Sequence, residues 1–323
     1  MFMNKTDKKK RSWWRWGLAL VGMLLVAWGA AGAYFFHVAM VPSHKSFVSN
    51  PTTVIKKSDP LYQQKRWFQQ ATKQKWTMTA ADGKTRLVAA YLPAAQPTTK
   101  SVIILHGFMQ NKESMGAYAA LFHQLGYNVL LPDARAHGQS QGHYIGYGWP
   151  ERYDVRKWAK RLIRDHGPKS QIVIFGVSMG GATTMMTSGL QLPAQVKALV
   201  ADCGYSSLQA ELDYQAGHLY HLPMLVRIPV EGALSVINRV ANGFFTQSAS
   251  STRALHHNHR PLLLIHGAAD DFVPTKMVWQ NYRATQGPKQ IWVVPHAGHA
   301  KAYATSPAAY RAHLQAFLAR YVK

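Results

Sequence analysis

Ser178 stands at the centre of Gly176-Val177-Ser178-Met179-Gly180, between the apolar run Ile172-Val173-Ile174-Phe175 and a stretch of helical pattern. A serine hydroxyl is a weak nucleophile and needs a neighbouring base. The strand–turn–helix setting gives the G-x-S-x-G spacing its meaning. A tight turn in a strained backbone pushes the hydroxyl outward. Glycines two positions either side remove side chains that would collide with neighbouring backbone. The helix that follows directs its first N–H groups toward developing negative charge. An ordinary tight turn with an idle serine is the competing reading, and the position after the third of six strand-like runs weighs against it.

His299 is the expected base. It lies in Pro295-His296-Ala297-Gly298-His299, directly after the last strand-like run. Gly298 permits a tight loop there, and the strand has ended by His299; His296 competes. Asp270 is the expected acid, in His266-Gly267-Ala268-Ala269-Asp270-Asp271-Phe272-Val273-Pro274. Its task would be to hold the imidazole tautomer and stabilise the imidazolium. Asp271 suits a cap on the helix starting near Pro274. Asp202, at the end of an earlier strand-like run, is the other carboxylate in contention. An oxyanion needs two preorganised N–H donors. Met179 N–H follows the nucleophile, and Phe108 N–H follows the first central run in His106-Gly107-Phe108-Met109.

The elements that must position these groups alternate in type. Strand-like runs occupy residues 101–105, 127–131, 171–175, 196–200, 261–265 and 290–294, and helical patterns lie near 114–125, 151–165, 179–190, 274–285 and 306–321. Continuous Val/Ile/Leu runs alternating with helices predict a parallel sheet covered on both faces. Ahead of them, 76–79 and 87–91 flank Ala81-Asp82-Gly83-Lys84, an Asp-Gly hairpin signal. Residues 61–72 suit a short amphipathic helix. The gap between 200 and 261 is too long for an ordinary connection and predicts a helical insertion.

Together, His106-Gly107-Phe108, Asp133-Ala134-Arg135-Ala136-His137-Gly138-Gln139-Ser140, Gly176-Val177-Ser178-Met179-Gly180-Gly181, His266-Gly267-Ala268-Ala269-Asp270 and Gly298-His299 resemble the successive motifs of the α/β-hydrolase superfamily. The resemblance covers about residues 76–323. Ile145-Gly146-Tyr147-Gly148-Trp149 with Asp154 and Trp158, and Asp202-Cys203-Gly204-Tyr205-Ser206-Ser207, are similar to membrane-anchored surface serine hydrolases of Gram-positive bacteria, mostly of the prolyl-oligopeptidase-like and Bem46-like branches. The resemblance implies a mostly parallel central sheet, a cap insertion at 205–255, a Ser178–Asp270–His299 triad, and a structural role for Asp133 through Ser140, so that His137 is not catalytic. Tyr205, Tyr214, Tyr220, Leu222, Met224 and Leu225 become lid residues. Ala136 departs from the pattern, because relatives usually carry Gly there.

Lys8-Lys9-Lys10-Arg11 precedes residues 17–41, a run of 25 residues without Asp, Glu, Lys or Arg. As a helix it is long enough to cross a bilayer. Trp13, Trp14 and Trp16 at its start suit the lipid–water interface, and the positive flank places the N-terminus inside. The expected organisation is therefore a basic cytoplasmic segment (1–16), a transmembrane signal-anchor (17–41), a linker (42–60) and an extracellular catalytic domain (61–323). Cleavage after Ala33, giving a secreted enzyme, is the alternative.

The formal net charge is +23, and residues 17–323 alone carry +18. Such a field attracts anionic lipid or wall polymer. No motif points to specific nucleic-acid binding. Cys203 is the single cysteine, so no intrachain disulfide can form, and no Cys/His spacing suggests a metal site. The expected activity is carboxylic ester hydrolysis on a small-molecule or surface-polymer ester, without cofactor or metal. A peptidase or acyltransferase would use the same groups, and a surface binding module is the non-catalytic alternative.

Overall fold

The computed structural model of the chain describes residues 5–43, 45, 47 and 54–323, with the backbone alone for 5–12. Its strands are β1 (Gln74–Thr79), β2 (Arg86–Leu92), β3 (Lys100–Leu105), β4 (Asn128–Pro132), β5 (Gln171–Val177), β6 (Val196–Asp202), β7 (Leu262–Gly267) and β8 (Lys289–Val294). Its α-helices are α1 (Lys5–Met40), α2 (Tyr62–Gln70), α3 (Gly116–Gln124), α4 (Glu151–His166), α5 (Met179–Ser188), α6 (Leu208–Tyr220), α7 (Met224–Asn242), α8 (Ser251–Leu255), α9 (Lys276–Ala284), α10 (Ala302–Thr305) and α11 (Pro307–Leu318). The expected linker at 42–60 lies partly outside the described residues.

The strands form one sheet in the order β1-β2-β4-β3-β5-β6-β7-β8. β1/β2 and β2/β4 pair antiparallel, and every other pair is parallel. The β1–β2 hairpin closes on Asp82, whose side chain accepts from the Lys84 and Thr85 N–H groups at 2.9 Å. Such local acceptors are why Asp favours turns.

Side chains alternate between the faces of the sheet, so the apolar runs feed two cores. On one face Val102, Ile104, Val129, Leu131, Val173 and Phe175 pack with α2, α3, α10 and α11. On the other, Ile103, Leu105, Leu130, Ile172 and Ile174 pack with α4, α5, α8 and α9. Trp158 of α4 is wholly enclosed in this second layer. Burial on both faces requires strands without polar alternation, as their sequences show.

The chain divides into two compact units. The larger, Pro42–Glu211 with Gln247–Lys323, contains the sheet. The smaller, Met1–Val41 with Leu212–Thr246, joins α1 to the end of α6 and to α7. Within the smaller unit Trp28 Nε1 donates to Pro229 O, and the rings of Phe35 and Tyr220 meet edge to face at 5.0 Å. A side chain at Gly32 would collide with Ala233, so the two helices approach backbone to backbone there. Among the described side chains of α1, Gly32, Phe36 and Met40 are buried, at the spacing of one helix face.

Candidate active site

β5 ends at Val177 and α5 begins at Met179, leaving Ser178 alone on the turn with φ 57° and ψ −117°. This is a costly conformation for a residue with a side chain. Close packing on both sides holds it. A Cβ on Gly176 would strike Gly180 O, and a Cβ on Gly180 would strike Leu105 O of β3. Ser178 N–H also donates to Asp202 O at 2.8 Å, tying the turn to β6.

The structure brings three of the sequence-predicted residues together. His299 Nε2 lies 2.9 Å from Ser178 Oγ, and His299 Nδ1 lies 2.9 Å from Asp270 Oδ2. The chain separations are 121 and 29 residues, so the sheet assembles them. Nδ1 facing a carboxylate carries the proton, which leaves Nε2 free to accept from the serine hydroxyl. Asp270 Oδ1 accepts from the N–H groups of Phe272 and Val273 at 3.0 and 2.9 Å. Burial alone would raise the Asp270 carboxyl. The hydrogen bonds from His266 and His299 outweigh it and hold the group down at about 2.

The competing residues go elsewhere. His296 is exposed, in a left-handed turn at φ 60°. Asp271 is exposed at the rim of the cleft. Asp202 is fully buried and accepts from Tyr310 Oη at 2.8 Å. Tyr205 is also buried, donating to Tyr147 O at 2.7 Å.

Phe108 follows β3, and Met179 follows Ser178 directly after the neighbouring strand β5. Met179 opens α5, where helix geometry leaves its N–H without an internal partner. Two buried histidines secure the loop carrying Phe108. His106 Nδ1 donates to Gly107 O at 2.8 Å, and its Nε2 accepts from Ala134 N–H at 2.9 Å. His137 Nδ1 donates to Arg135 O at 2.8 Å, and its Nε2 accepts from Met109 N–H at 3.3 Å. Burial, then the neighbouring His106, pushes the His137 imidazole down to about 3, so it stays neutral. Asp133 fastens the same loop region to Lys112 at 2.6 Å. Ala136 has φ 59°, a left-handed conformation that glycine adopts at lower cost than alanine.

A cleft of about 600 Å³ opens over Ser178 and His299. Phe108, Met115 and Phe272 give it apolar walls, and Leu61 and Lys65 from the start of α2 contribute to its rim. Phe272 packs on the His299 ring at 4.9 Å between centroids. Neither the α2 contribution nor the His266 contact to Asp270 has a sequence signal, because both depend on how distant segments fold back. Among the described residues, Cys203, Asp270 and His299 have ligand-type atoms within 4.8 Å of one another. Both nitrogens of His299 are already engaged with Ser178 and Asp270.

Comparison with known proteins agrees with this architecture. Residues 100–224 match the family model of the alpha/beta hydrolase fold. YqkD of Bacillus subtilis, a protein of uncharacterized function, is 27% identical over 301 residues, covering 93% of this chain and 96% of its own. YitV, described as a putative esterase of the same bacterium, is 27% identical over 186 residues, 54% of this chain and 69% of its own. Among solved structures, an esterase of Pyrococcus furiosus superposes with a TM-score of 0.64 at 22% identity, covering 87% of this chain and all of that one. With its mostly parallel eight-stranded sheet and its serine turn between β5 and α5, the chain has the α/β-hydrolase fold.

Proposed function

We propose that the protein is a membrane-anchored serine hydrolase that cleaves carboxylic esters at the outer face of the membrane. The observation that carries this reading is His299, which spans Ser178 Oγ and Asp270 Oδ2 at 2.9 Å on each side. Similarity to the putative esterase YitV supports esters as the substrate class.

In this mechanism Ser178 Oγ attacks the acyl carbon while its proton passes to His299 Nε2. Asp270 holds the ring and stabilises the imidazolium. The tetrahedral oxyanion accepts from Phe108 and Met179 N–H, which are fixed before the charge develops. His299 then gives its proton to the departing alcohol oxygen, and the acyl group remains on Ser178. Water enters, loses a proton to His299 and attacks the acyl carbon. Collapse releases the carboxylic acid and returns the proton to Ser178.

The anchor reading is supported by residues 13–40, a helical run of 28 residues with mean hydropathy up to 1.9 and almost no buried positions in its apolar window. Uncleaved retention is favoured because a cut after Ala33 would separate Gly32 from Phe36 and Met40 on the packed face. The domain reading follows: residues 61–323 carry the catalytic machinery outside the cell, interrupted by the cap at 205–255.

Turnover of a series of esters of increasing acyl length, beside the matching amides, tests the substrate class. Esters should be cleaved far faster than amides by the full-length protein. Comparable or faster amide cleavage would instead make it a peptidase.

A further inference from the structure

The small unit couples a membrane-length helix to a cap helix in a fixed register. Trp28 meets Pro229 and Gly32 meets Ala233, so each four-residue step along α1 matches a four-residue step along α7. The two helices therefore run parallel. α1 has Trp13, Trp14 and Trp16 at its inner flank, the level of a membrane–water interface. From Trp13, about 20 residues of helix fill the roughly 30 Å of hydrocarbon. The outer boundary then falls near Gly32, and the register sets Ala233 at the same level. Pro229 lies one turn further in, and the first turn of α7 lies deeper still.

That first turn is apolar and uncovered. Met224, Leu225, Val226 and Ile228 are all exposed, and Leu225 is 89% exposed. The one charged side chain among them, Arg227, is paired with Asp213 at 2.6 Å. A patch of this kind at the tip of a helix calls for an apolar neighbour.

We infer that the start of α7, Met224 to Ile228, inserts into the outer leaflet beside α1, so that the cap is itself a lipid-binding element. The inference rests on the anchor reading above. At about 1.5 Å per residue, Leu225 lies about 12 Å inside the level of Ala233, and Val240 lies about 10 Å outside it. Val240 is 85% exposed, so the two positions differ in depth rather than in accessibility. An ester carried by a membrane amphiphile is the substrate class such a cap would meet.

The test uses the full-length chain in vesicles of phosphatidylglycerol and phosphatidylethanolamine. Leu225→Cys, Val240→Cys and Leu20→Cys are each labelled with an environment-sensitive fluorophore; native Cys203 is buried and escapes the label. The labels at Leu20 and Leu225 should emit to the blue and be quenched by nitroxides on the lipid acyl chains. The label at Val240 should be quenched by aqueous iodide. Lipid quenching at Leu20 with iodide quenching at Leu225 overturns the inference and leaves the anchor standing. Iodide quenching at Leu20 overturns both. A blue-shifted Leu225 label that neither quencher reaches, with disulfide crosslinking of unlabelled Leu225→Cys between chains, overturns the inference in favour of a second copy covering the patch.

Discussion

His266 Nε2 lies 3.2 Å from Asp270 Oδ2, the same carboxylate oxygen that His299 Nδ1 meets at 2.9 Å. His266 Nε2 also lies 2.8 Å from Val273 O, and a nitrogen facing a carbonyl and a carboxylate must carry the proton. Asp270 is thus held from two sides by imidazole N–H donors.

His266 acts through Asp270 as a positioning residue. A hydrogen bond to a charged group contributes about 1.5–3 kcal/mol. His266→Phe should therefore lower kcat by about 10- to 100-fold with little change in KM. His266→Gln, which keeps an N–H at a similar reach, should recover most of that loss. Its effect on acid stability has a defined sign. The depressed Asp270 contributes stability above its unfolded value of 3.8 that is lost as pH falls toward about 2. In His266→Phe, where the folded value rises toward 3.8, that loss should be smaller and should be complete at higher pH. Equal kcat in the Phe and Gln variants would reduce His266 to packing.

Asp202 and Asp270 should separate cleanly on substitution. Asp270→Asn removes the tautomer control on His299 and should cost on the order of 10⁴ in kcat. Asp202→Asn should cost little activity and instead change the pH dependence of stability. Burial raises the Asp202 carboxyl from 3.8 to about 6, against the opposing hydrogen bond from Tyr310. The raised group contributes stability that is full below 3.8 and is lost as pH rises through about 6. The amplitude is on the order of 3 kcal/mol. Denaturation of Asp202→Asn beside the parent should show that decline missing between pH 4 and 6. A severe activity loss in Asp202→Asn with a mild one in Asp270→Asn would move the acid to β6.

Legibility in the sequence followed the range of the interaction. The serine turn is readable because its glycines answer to contacts within one strand–turn–helix unit, with Leu105 as the outside partner of Gly180. The choice of His299 over His296 rests on chain geometry within one loop, in which the structure leaves His296 exposed and left-handed. The position of β4 outside β3 is not written in either strand, since both are equally apolar. The α1–α7 register was also invisible, because it depends on Gly32 facing Ala233 across 201 residues of chain. His266 looked like part of a motif, and only the fold of 266–273 turns its ring toward Asp270.

The basic field should matter for location and not for chemistry. Residues 17–323 carry +18, while the proposed chemistry needs no distant charge. Attraction between surface charges decays over about 8 Å at physiological ionic strength. Binding of the segment 42–323 to anionic vesicles or wall material should therefore weaken as salt rises, while turnover of a small neutral ester should stay nearly constant. Binding that is absent at low salt, or unchanged at high salt, would leave the charge as a solubility feature.

The central claim is that Ser178 is the nucleophile, and covalent capture tests it most directly. A fluorophosphonate probe added to the full-length protein should form one adduct, and mass spectrometry of the digested protein should place it on the peptide containing Ser178. Ser178→Ala should lose the label and at least about 10³ in ester turnover. An adduct on another residue, or full labelling of Ser178→Ala, would contradict the account.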